Sequence, residues 1–207
     1  MNTTTIDRNA LVQFALRHAD NALILGHRLS EWCGHAPTLE EDIGLANLGL
    51  DLIGQARALY TYAGAVEGKG RDEDKLAYLR DAPEFCNLLL VEQPNGDFAA
   101  TIVRQVIFSA FMLPYWQATT TSKDPTLAAI AAKSEKETEY HLRHAGEWLV
   151  RLGDGTEESH VRAQAALDDL WAYSGELFKT DAVDRSLIAA GVAIDPATLR
   201  ASFDRSI

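Results

Sequence analysis

TLAAIAAKSEKETEYHLRHAGEWLVRL, residues 126–152, is the stretch whose reading decides the fold. Asp124 and Pro125 stand just before it, an N-cap residue followed by proline at the first helical position, and Gly153 follows it. Between these signals one seam recurs at helical spacing: Leu127, Ile130 and Ala131, Ser134, Glu137 and Thr138, His141, Ala145, Trp148, Leu152. Both ends of the seam are apolar and its middle is polar. Glu137 and His141 lie four residues apart and share a face. A polar patch halfway along a core helix is where helical bundles hold metals or cofactors.

Working outward, residues 97–119, DFAATIVRQVIFSAFMLPYWQAT, read as a helix apolar on most faces, with Arg104 and Gln105 as exceptions and a kink expected at Pro114. Residues 7–32 read as another. Its apolar stripe is Leu11, Ala15, Ala22, Leu25, Leu29 and Trp32, with His18 inside the stripe and Asp20 on a second line. Thr38 and Glu41 predict a capping box for a helix reaching about Val66. That helix is apolar nearly all round, through Ile43, Leu45, Leu48, Leu50, Leu52, Ile53 and Leu59, which predicts burial on several sides. Asn47, Asp51 and Gln55, four apart, cross it as one narrow polar line. Gly44, Gly49 and Gly54 each cost about 1 kcal/mol of helix propensity, tolerable where another helix packs closely.

Short helices are expected at 72–80 and 83–91, and a turn at Gln93-Pro94-Asn95-Gly96. A fifth long helix, about 157–179, should bury Val161, Leu167, Leu170, Trp171, Leu177 and Phe178. A short helix at 182–190 ends at Gly191, and Asp195-Pro196 opens the last. The expectation is an all-α chain, one ferritin-like helical bundle over residues 1–207 with additional peripheral helices. The long connection at about 67–96 favours a crossover bundle over a simple up-down one.

Composition sets further bounds. The chain has 207 residues, 47% hydrophobic and 24% charged, in the range of an ordinary globular protein. A net charge of −11 argues against nucleic acid or an anionic membrane as the main partner. MNTTTIDRN lacks the basic and apolar regions of a signal peptide, and no uncharged apolar run approaches the length of a membrane span. Cys33 and Cys86 have no zinc spacing and are expected as buried or partly buried thiols. These features point to a cytoplasmic protein.

A ferritin-like di-iron centre takes a Glu from each of two helices and a Glu-x-x-His from each of two others. None of the four long helices contains a Glu-x-x-His. Asp51 is followed three residues on by Gly54, His141 is preceded by Thr138, and Glu137 pairs with His141 at a spacing of four. Helix 97–119 has no carboxylate beyond Asp97 and carries Ser109 at mid-length. The expectation is therefore a degenerate site that holds no metal. Asp20, Asn47, Asp51, Gln55, Glu137 and His141 would satisfy one another as a core polar network, with Arg57 or Arg104 balancing a buried carboxylate. His144 reads as a surface histidine, and Trp116, Trp148 and Trp171 as core or interface. The alternative is an independent metal-binding oxidoreductase using His141, His144, Asp51, Glu137 and Asp20.

LSEWCGHAP (29–37), ANLGLDLIGQARALY (46–60), NLLLVEQPNGDFA (87–99) and KETEYHLRHAGEW (136–148) resemble the C-subunit family of the bacterial multicomponent phenylacetyl-CoA 1,2-epoxygenase of phenylacetate degradation. The similarity runs from about residue 6 to 207, and nothing generic to helical bundles demands NLLLVEQPNGDFA. The resemblance implies a non-catalytic, structural subunit of an NADPH- and O2-dependent monooxygenase complex. Its partner would be the catalytic A-subunit, which holds the di-iron centre, with a reductase component that carries FAD and an iron–sulfur centre. It implies a hetero-oligomer, with self-association open, and a family tail beyond the position of Ile207, so that the chain is expected to be truncated there.

Overall fold

The computed structural model describes residues 6–207, so the signal-peptide reading of the first five residues lies outside the described residues. Four long helices form the bundle: α1 (Arg8–Ser30), α2 (Leu39–Glu67), α5 (Phe98–Thr119) and α6 (Pro125–Gly153). Between them run the short α3 (Glu73–Tyr78) and α4 (Leu89–Glu92). After them come α7 (Glu157–Trp171), α8 (Ala182–Ala190) and α9 (Arg200–Ser206). No strand occurs among the described residues.

The starts are set by side-chain caps. Asp7, Asp97 and Asp124 each accept backbone N–H groups of the first turn of α1, α5 and α6. Thr38 caps α2 through Glu41 N–H, but the expected reciprocal bond of a capping box is not made: the Glu41 carboxylate turns to α6 instead. Gly68 and Gly191 end α2 and α8 in the left-handed conformation.

α1 packs most extensively on α2, and α5 on α6, giving two helical hairpins. Cross-hairpin pairs fix their relation. His18 meets Tyr115 and Trp32 meets Thr101, so α1 and α5 run antiparallel. Glu41 meets His144 and Tyr62 meets Asp124, so α2 and α6 do too. It follows that α2 and α5 are parallel. A parallel neighbour cannot be reached by a tight turn, and this is why residues 68–97 must travel the length of the bundle.

α5 is the core helix. Nearly every residue from Ala99 to Met112 is buried. By length and a mean hydropathy of 1.4 it is apolar enough to cross a membrane, although Arg104 interrupts the run. However, 78% of that window lies inside the bundle, so its apolarity serves the core. It continues as one helix through Pro114.

Several expectations fail, the burial ones on α2 and α7 because an outer helix has only one neighbour-facing stripe. Ile43 and Leu50 of α2 are exposed, as is Val161 of α7. Trp171 is partly open and stacks on Phe203. α7 stops at Trp171, and residues 174–178 form a separate 3-10 turn. Pro83 likewise opens only a 3-10 turn, with extended chain before α4. Cys33 and Cys86 both lie in connections and are exposed.

Candidate functional site

The polar middle of the 126–152 stretch faces α2. Along this seam the side chains pair across the two helices. His144 Nε2 lies 3.0 Å from Glu41 Oε2, and His141 Nε2 lies 3.1 Å from Asp51 Oδ2. Gln55 Nε2 donates to Glu137 Oε2 at 2.9 Å, and Tyr62 Oη donates to Asp124 Oδ2 at 2.5 Å. The spacing of four in Asp51/Gln55 and in Glu137/His141 places both pairs on facing stripes of antiparallel helices. The His141 side chain is buried while Asp51 is 38% exposed, so this pair sits at the edge of the core. Ser134 and Thr138 fill the seam beside them and are buried.

The six residues expected to form one network do not all meet. Asp51, Gln55, Glu137 and His141 do, as two neighbouring pairs. Asn47 is exposed on the outer face of α2, because an i, i+4 line precesses around a straight helix. Asp20 belongs to a different centre. It is fully buried and accepts from Tyr60 Oη at 2.5 Å, from the Cys86 N–H at 2.8 Å, and from both terminal nitrogens of Arg80. Arg80 also stacks over Phe85, 4.1 Å from its centroid. The cation that balances the buried carboxylate is thus Arg80, from the crossover. Arg57 is exposed and pairs with Glu73; Arg104 is buried and donates to the Gln93 carbonyl and Asn95 Oδ1. Lacking a carboxylate partner in the core, Arg104 has its pKa pulled down to about 10, by burial first and then by Arg28. Burial lowers Arg80, but the Asp20 hydrogen bond and charge outweigh it and hold it protonated.

Sequence spacing missed Arg80, Tyr60 and Glu41. Arg80 lies 60 residues from Asp20, and no local periodicity links them. His144 is not a surface histidine: its side chain is 14% exposed, because a long imidazole reaches back over the seam to Glu41.

The donor set does not fit a di-iron centre. Its carboxylates and imidazoles are distributed as single pairs, and α5 contributes Gln105, whose Nε2 donates to Ser109 Oγ at 2.9 Å, where a third wall would need a carboxylate. Among the described residues no three His, Cys, Asp or Glu side chains converge on one point. What the seam can do chemically is hold α2 against α6 through charge-assisted hydrogen bonds.

A sequence profile described as phenylacetic acid catabolic protein matches residues 1–207. A protein of Escherichia coli (strain K12), named as the C-subunit of 1,2-phenylacetyl-CoA epoxidase, is 51% identical over 199 residues, covering 96% of this chain and 80% of that protein. Paired with an all-α bundle of the expected architecture, these matches show that the chain belongs to the phenylacetic acid catabolic protein family.

Proposed function

We propose that this chain is the non-catalytic structural subunit of a cytoplasmic phenylacetyl-CoA 1,2-epoxidase complex. Its role is to bind and stabilise the catalytic subunit, which holds the di-iron centre and receives electrons from the reductase. The observation that carries the reading is the α2–α6 seam. Glu41, Asp51, Glu137, His141 and His144 are each engaged in a bond across it, and α5 offers an amide and a hydroxyl where a metal site would need carboxylates. The similarity to a relative named as the C-subunit of such an epoxidase supports the same assignment. A bundle of this kind stabilises a partner by binding only its folded form. Leu39, Ile43 and Leu50, exposed along α2, are apolar surface that a partner can remove from water, toward the roughly 1,000 Å2 that a specific interface needs.

The test is co-expression with the catalytic and reductase subunits of the same system, followed by size exclusion, metal analysis and turnover of phenylacetyl-CoA. The two chains should co-elute, iron should track the catalytic chain, and a complex carrying His141→Ala and Asp51→Ala should keep its turnover. Stoichiometric iron in this chain alone, lost in His141→Ala together with activity, would make it a metal enzyme in its own right and overturn the proposal.

A further inference from the structure

On the other side of the bundle from the α2–α6 seam, a cavity of about 140 Å3 lies where α1, α5, residues 86–88 of the crossover and the C-terminal segments meet. Its apolar walls come from Leu88, Phe111, Met112 and Leu177. Its polar groups come from His18, Asn21 and Tyr115. His18 Nε2 lies 3.1 Å from the Tyr115 hydroxyl, while its Nδ1 is buried without any hydrogen-bond partner. Asn21 Oδ1 accepts the Leu88 N–H at 2.7 Å, which leaves the amide NH2 available to an acceptor. Four charged side chains stand at the rim: Arg17 pairs with Asp181 and Asp184, Glu176 accepts the Leu90 N–H, and Lys179 makes no ion pair among the described residues.

Two features set the chemistry of an occupant. A cavity of about 150 Å3 with apolar walls accommodates a benzene-sized ring. A dry, purely apolar pocket would present no unmet hydrogen-bonding group, whereas this one has a buried imidazole nitrogen with no partner. We propose that the cavity is a binding site for a small, uncharged, ring-sized molecule carrying one hydrogen-bonding group, its ring between Phe111, Met112 and Leu88 and its polar group on His18 and Asn21. On the same lining Arg17 and Lys179 offset Glu176 and Asp184, so the site has no net charge to favour an ion of either sign. Desolvation, and then the Arg17 charge, hold the His18 pKa down at about 4, so the imidazole stays neutral through neutral pH and offers one donor and one acceptor nitrogen.

The experiment uses the full chain and three probes: phenol, benzene and inorganic phosphate. Binding is read by saturation-transfer NMR and by the rise in thermal midpoint. Phenol should bind saturably and about tenfold tighter than benzene, the worth of one hydrogen bond at about 1.4 kcal/mol. Phosphate should not bind. His18→Leu should bring phenol down to the affinity of benzene. Met112→Trp fills the cavity and should abolish binding of both; Leu88→Phe serves the same purpose if the tryptophan variant fails to fold. Absence of saturable binding by phenol and benzene would mean that the cavity holds water only. Binding that persists in a folded, cavity-filled variant would place the ligand elsewhere. Either result overturns the proposal.

Discussion

His18 shows what one residue can contribute to both stability and chemistry. It sits within an apolar stripe, among Phe14, Tyr115 and Trp116, with ring centroids 4.6, 4.9 and 5.6 Å away. The charged form is penalised by desolvation and by Arg17, and no carboxylate bonds the ring. Its pKa in the folded chain is about 4, below the ordinary 6.5. Between these values the unfolded chain takes up a proton that the native chain refuses. The stabilisation is therefore complete above about pH 6.5 and declines as the pH falls, by about 3 kcal/mol at pH about 4. Urea unfolding across this range should show that slope, and His18→Gln should flatten it. An equal slope in the variant would assign the acid sensitivity to other groups. The sequence placed His18 in the stripe because periodicity registers position; its missing partner depends on what α5 brings opposite, which periodicity does not encode.

At the scale of elements, the glycines of α2 separate into those that permit packing and those that only weaken the helix. A Cβ on Gly49 would come within 3.3 Å of the Gly26 carbonyl of α1, so these two positions let the α1 and α2 backbones approach closely. A Cβ on Gly64 would lie 2.2 Å from the Arg71 carbonyl, where the chain folds back after α2. Gly54 faces the groove between α2 and α6 and would meet only the Lys133 ammonium at 3.9 Å. Gly64→Ala should therefore cost about 1–3 kcal/mol through forced backbone movement. Gly54→Ala should raise stability by about 0.5–1 kcal/mol through helix propensity. Chemical denaturation of the two variants checks both signs, and a neutral Gly64→Ala would show that the loop at 68–71 yields without cost. That close helix packing makes these glycines tolerable holds for Gly49 but not for Gly54, a distinction the sequence does not contain.

At the scale of the whole molecule, the bundle is joined to its crossover by one buried centre. Asp20 of α1 and Tyr60 of α2 meet Arg80 and the Cys86 N–H, so a single carboxylate fastens about thirty residues of connection onto the bundle. Removing the cation strands that carboxylate. Arg80→Leu should cost about 3–5 kcal/mol, and hydrogen exchange should speed up first at residues 76–92, ahead of global unfolding. Uniform exchange acceleration over the whole chain would show that the crossover is not a separate unit. The sequence by itself determined the four long helices, where they start and the all-α class, because helical period, capping residues and Asp-Pro starts are local and act within a turn or two. It also determined that none of the four long helices carries a Glu-x-x-His, since that is a matter of spacing alone. Only the tertiary structure decided that Asp20 serves the crossover while Asp51 and Glu137 serve the seam, that Glu41 takes His144 over its own cap, and that Asn47 faces solvent. Those outcomes depend on which helix lies opposite and at what register. That register is set by packing between segments 60 to 103 residues apart, a range over which no local pattern carries information.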